Sequence, residues 1–87
     1  MNQTENKKKE LEKIINLLNV KKYDAVVSKA KILVKKFPND YIFYNALGMA
    51  LMNLGQFNES LKIFDRAIKL DEKNIHVLNK FIYTINI

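Results

Sequence analysis

Eighty-seven residues, 48% of them hydrophobic, make one small domain with a modest core, too apolar for a disordered chain. Without cysteine there are neither disulfides nor thiolate metal sites, so stability rests on helix packing, self-association or further chain. The net charge of +6 is uneven, with ten lysines against five acids over residues 1–40 and near balance afterwards. Arginine, the side chain best suited to bidentate phosphate recognition, occurs once, at Arg66. Lysine, asparagine and isoleucine are all abundant, as an AT-rich genome produces, and that accounts for the charge more simply than nucleic acid does.

The segment Met1-Asn2-Gln3-Thr4-Glu5-Asn6 leads into Lys7-Lys8-Lys9 with no apolar run behind it. That is not the pattern of a secretory signal, and no stretch approaches the roughly 18 consecutive apolar residues of a membrane span. The sequence reads as cytoplasmic, with a flexible tail over 1–6 and a single domain over 7–87.

Pro38, Gly48 and Gly55 are the only strong breakers, and between them runs a helical period. In the first helix Leu11, Ile14, Ile15 and Leu18 follow the i, i+3, i+4, i+7 rule. In the second, Tyr23, Val26, Val27, Ala30, Leu33, Val34 and Phe37 form a stripe opposite Lys31, Lys35 and Lys36. Pro38-Asn39-Asp40 ends that helix and offers Asn39 or Asp40 as a cap for the next. The third helix, about 41–53, is apolar nearly all round, which places it between neighbours. Gly55 suits a left-handed C-cap. The fourth, about 57–70, turns Phe57, Leu61, Phe64, Ala67 and Ile68 inward and Glu59, Lys62, Asp65, Arg66 and Lys69 to water. A fifth, about 75–86, carries Leu78, Phe81, Ile82 and Ile85. Short links make such helices antiparallel neighbours, and helices one, three and five start about 34 residues apart, the spacing of a helical solenoid.

Residues 41–74 carry Tyr44, Leu47-Gly48 and Leu51, then Gly55-Gln56-Phe57, then Ser60, Phe64 and Ala67, and end on Leu70-Asp71-Glu72. This pattern resembles the tetratricopeptide repeat (TPR). The physical logic is independent of the family: Gly48 and Ser60 are small where paired helices approach closely, and Tyr44, Leu51 and Phe64 fill the volume around them. Residues 7–40 fit the same frame in degenerate form, with Tyr23 at the turn, Pro38 at the end, Ala30 at a small site, and Ile14 and Val26 replacing the small pair. Their two helices should therefore sit slightly further apart. Residues 75–87 resemble a half repeat or capping helix. The resemblance implies an all-α helical-hairpin solenoid of five helices in a right-handed superhelical stack.

It also implies a non-catalytic, cofactor-free scaffold that binds a protein or peptide along a groove lined by the first helix of each repeat. The matching residues are Lys8, Leu11, Ile15 and Leu18, then Ile42, Asn45, Met49 and Met52, then His76, Asn79, Tyr83 and Asn86. The partner-binding set expected from these is Leu11, Ile15, Leu18, Ile42, Asn45, Met49, Met52, His76, Asn79 and Tyr83. Asn45 and Asn79 share a slot and offer donor and acceptor to a peptide backbone. Ile42, Met49 and Met52 are surplus to the core, and adaptable methionines suit recognition. The carboxylate-clamping mode of some TPR modules does not fit, since Leu11, Ile15 and Ala46 stand where it needs polar groups.

Enzymatic chemistry has little to work with. His76 is the only histidine, and no nucleophile elbow or glycine-rich phosphate loop occurs. The alternatives to a peptide groove are a homodimer through the C-terminal helix, or an N-terminal fragment of a larger protein such as a bacterial transferase. Nucleic-acid binding by Lys7, Lys8, Lys9, Lys13, Lys29, Lys31, Lys35 and Lys36 ranks below these, because no aromatic–basic stacking surface accompanies them.

Overall fold

The structure, a computed structural model, describes residues 3–70. Among them stand four α-helices and no strand: α1 Gln3–Asn19, α2 Tyr23–Lys36, α3 Tyr41–Asn53 and α4 Phe57–Leu70. The expected fifth helix lies outside the described residues. α1 begins at Gln3, inside the segment 1–6 expected as a tail. A polar N-terminal run shows no apolar period, and tertiary anchors supply what the pattern lacks. Lys7 pairs with Asp40 at 3.1 Å and lies 5.2 Å from the centre of the Phe37 ring.

Chain reversals are made by links of three or four residues, and each has a local cause. Asp40 caps α3: its backbone is extended, and its Oδ1 accepts from the Ile42 N–H at 3.0 Å. The α1 and α3 C-termini close in the same way. Lys22 N–H donates to the Leu17 carbonyl and Lys21 N–H to Leu18, both at 3.0 Å; Gln56 donates to Leu51 at 2.9 Å and Gly55 to Met52 at 3.0 Å. This paired closure requires a left-handed residue, and the two are Lys21 (φ 60°) and Gly55 (φ 81°). They lie 34 positions apart, so the internal period expected from sequence is present in backbone geometry.

The core joins Ile14, Val26, Ala30, Leu33, Phe37, Phe43, Ala46, Leu47, Ala50 and Leu51, all buried. α3 buries seven of its residues and touches α1, α2 and α4, as expected of a helix apolar on every side. Its contact with α4 is the most extensive among the described helices, and α1 packs less extensively on α2. At the α3–α4 crossing the Ser60 hydroxyl, fully buried, donates to the Gly48 carbonyl at 2.9 Å. A Cβ on Gly48 would lie 2.7–3.0 Å from three Phe64 ring atoms. In the first hairpin the volumes are exchanged: Ile14 stands where Gly48 does, Ala30 where Phe64 does, and both are fully buried. Bulk has moved from α4 to α1, and the pair still fills its space.

One inward assignment is corrected. Phe57 and Leu61 of α4 are 59% and 50% exposed, and only Ala67 and Ser60 of that helix are buried. Amphipathic spacing identifies an apolar stripe, but a stripe is buried only where a neighbouring element lies on it.

Candidate partner-binding face

The expected binding residues on α1 and α3 fall into two tiers of burial. Ile15 is 45% exposed, Met49 46% and Ile42 36%, while Leu11, Leu18, Asn45 and Met52 are half-buried. Ile15 and Met49 occupy the same slot in the two hairpins, as do Leu11 and Asn45, and Leu18 and Met52. Leu11 and Leu18 pack against the core from α1, anchoring the floor beside which Ile15 projects. α1 and α3 touch, so the two halves of the set belong to adjoining helices. The other expected members, His76, Asn79 and Tyr83, lie outside the described residues.

Charge around this face is arranged by ion pairs at its margins. α3 contributes no charged side chain, so Ile42, Asn45, Met49 and Met52 sit on a neutral helix. On α1, Glu10 receives Lys29 of α2 at 2.8 Å and Lys13 at 3.5 Å, tying the first hairpin together. The Lys29 hydrogen bond holds the Glu10 carboxyl below its usual range against an opposing contribution from burial, with Lys13 adding to the lowering. Lys8 remains exposed at the N-terminal end of the α1 stripe.

Sequence reasoning passed over the surroundings of Ile42. An open depression of about 520 Å³ lies there, lined by Lys7, Lys36, Phe37, Pro38, Asn39, Asp40, Tyr41 and Ile42. Phe37 forms its apolar base, stacked on Phe43 at 5.5 Å between ring centres, with Lys36 5.5 Å from the Phe37 ring on the open side. The signal was present as an aromatic before the turn with lysine on either side in space, but Lys7 is thirty positions away in sequence. No helix of the described residues is long and apolar enough to cross a membrane.

The family model for the tetratricopeptide repeat matches residues 41–74, the stretch that holds the Gly48–Ser60–Phe64 crossing and the Gly55 closure. That segment is a tetratricopeptide repeat. No curated protein and no solved structure matches the chain. TPR repeats generally mediate protein–protein interaction, and the family is typically a non-catalytic interaction module. The four helices are consistent with about two such repeats, the second matched by the family model and the first closing with the same turn geometry 34 residues earlier.

Proposed function

We propose that this protein is a cytoplasmic scaffold whose α1–α3 face binds a peptide segment of a partner protein, without catalysis. The observation that carries the reading is the exposure of Ile15, Ile42 and Met49 on two adjoining helices whose other apolar side chains are buried or half-buried. Exposed apolar side chains grouped on adjoining helices mark contact surfaces, and two methionines let such a surface adapt to its ligand. Asn45 supplies one amide to a peptide backbone, and the depression beside Ile42 accepts one apolar side chain flanked by an acid that meets Lys36.

The test is selection from a random peptide library, followed by titration against the wild type and Ile15→Glu/Met49→Glu. Both side chains are about half exposed, so the double variant should fold. Expected is a loss of binding of about tenfold or more, since burying an unpaired carboxylate costs well over 1.4 kcal/mol. Equal affinity for both proteins rejects the face. A steep decline of affinity with salt for an oligonucleotide, and none for peptides, would replace this reading with phosphate binding through the lysines.

A further inference from the structure

The rim of the depression beside Ile42 holds three charged side chains, and two of them answer each other. Asp40 commits both carboxylate oxygens: Oδ1 accepts from the Ile42 N–H at 3.0 Å, and Oδ2 meets the Lys7 ammonium at 3.1 Å. Lys36, the last residue of α2, has no such counterpart, since no acid of the described residues lies within ion-pair distance of it. Its ammonium stands 5.5 Å from the centre of the Phe37 ring, at a hollow whose apolar lining is Phe37, Pro38 and Ile42. Attraction to the α2 dipole accounts for a lysine in the last turn, but Lys35 has that attraction too and takes no part in the depression. The rim is therefore left with one unbalanced positive charge beside an apolar base. Next to apolar surface the local dielectric falls below that of water, so this charge acts on a ligand more strongly than one in bulk solvent.

We propose that Lys36 sets partner specificity at this face. It selects segments in which aspartate or glutamate directly adjoins the apolar side chain seated in the depression, and it refuses segments with lysine or arginine there. This role rests on the α1–α3 face being a peptide site; beyond that, it fixes which residue reads the partner's charge and which partners are turned away. Lys7 is not the reader, although its ammonium is nearer the ring at 5.2 Å, because Asp40 already balances it. Attraction of an acid and repulsion of a base act together, and the repulsion does as much for discrimination as the attraction.

The probes are two pools of short peptides, otherwise uncharged and random, with Glu-Leu at the centre of one and Lys-Leu at the centre of the other. Capture by the full chain is compared at low salt. The wild type should favour the Glu-Leu pool by about tenfold, and Lys36→Glu should reverse the order. Lys35→Glu makes the same change in net charge outside the depression and should leave the preference within about twofold of wild type. An equal shift in both variants would mean attraction to the overall charge of the protein and overturns the proposal. A wild type that captures both pools alike overturns it as well. Lys7→Gln/Asp40→Asn removes the balanced pair together, with asparagine still able to cap α3, and should keep the preference; its loss overturns the assignment to Lys36. Lys35 and Lys36 are both exposed, so their variants should fold, which thermal unfolding checks. Ile15→Glu/Met49→Glu separates this role from the face itself. If that variant loses both pools while the wild type shows no preference for the acid, the face stands and Lys36 has no part in its specificity. Capture of neither pool by the wild type overturns both.

Discussion

Replacing Gly48 by alanine sets two effects of known sign against each other. In an exposed helix the change is favourable by up to about 1 kcal/mol, because glycine is the poorer helix former. Here the new Cβ would lie 2.7 Å from Phe64 Cε1, 2.9 Å from Cδ1 and 3.0 Å from Cζ, all well inside van der Waals contact. Phe64 is half-buried, so its ring can swing outward, but it then loses contact with α3 and disturbs the crossing held by the Ser60–Gly48 hydrogen bond. Overpacking of this kind costs about 1–3 kcal/mol, leaving a net loss of about 1 kcal/mol for alanine and more for leucine. In a domain of this size each kcal/mol moves the melting temperature by about 4–8 °C. The assay is thermal unfolding followed by circular dichroism on Gly48→Ala, Phe64→Leu and the double variant. Trimming the ring should relieve the clash, so the double variant should be more stable than the sum of the singles by about 0.5 kcal/mol or more. A Gly48→Ala protein that melts at or above wild type, or a cycle with no coupling, refutes the close-approach argument. Ile14→Leu, at the matching slot where bulk is already accommodated, should cost less than about 1.5 kcal/mol.

Lys21 holds the left-handed position that Gly55 holds one repeat later, so Lys21→Gly should raise stability by about 1 kcal/mol and Gly55→Ala should lower it by a similar amount, both read from chemical denaturation. Ser60→Ala removes a buried hydroxyl donor and should cost about 0.5–1.5 kcal/mol. The lowered pKa of Glu10 contributes stability that is present above its usual value of 4.5 and lost as pH falls through the lowered value. Glu10→Gln should therefore flatten the decline of melting temperature between about pH 5 and pH 3, and an unaltered acid limb would show that the Lys29 contact contributes nothing.

Legibility in the sequence followed the reach of each signal. The bounds of α3 and α4 were readable because Asp40, Gly55 and the intervening apolar run are local, and the capping hydrogen bond and left-handed turn are where those residues place them. The small-residue logic of Gly48 and Ser60 was readable because it needs only their size and spacing. The start of α1 was not, since Gln3 to Asn6 show no apolar period and Lys7 is tied down by Asp40 and Phe37, distant in sequence. Nor was the left-handed turn at Lys21, where the residue type argues against the conformation and the hydrogen bonds around it impose it. The spacing of Phe57 and Leu61 gave an apolar face, whereas burial depends on what lies against that face. Of the proposed groove, Ile42 and Met49 were recognisable as surplus to the core, while the depression beside Ile42 depends on three chain segments meeting.

The placement of α3 against the three other described helices bears on how the protein comes apart. α1 lies at one margin, held by its packing on α2, a smaller contact with α3 and the ion pairs of Lys7 and Glu10. It can detach while the α3–α4 hairpin stays closed, because no contact between α3 and α4 passes through it. Amide hydrogen exchange should then be graded along the chain. Protection should be deepest in the middle of α3, near Leu47 to Leu51, and α1 should open at a free energy below that of global unfolding. The peptide face spans both helices, so a ligand seated across Ile15 and Met49 would close the easiest route to opening, and slower exchange in α1 would report its arrival.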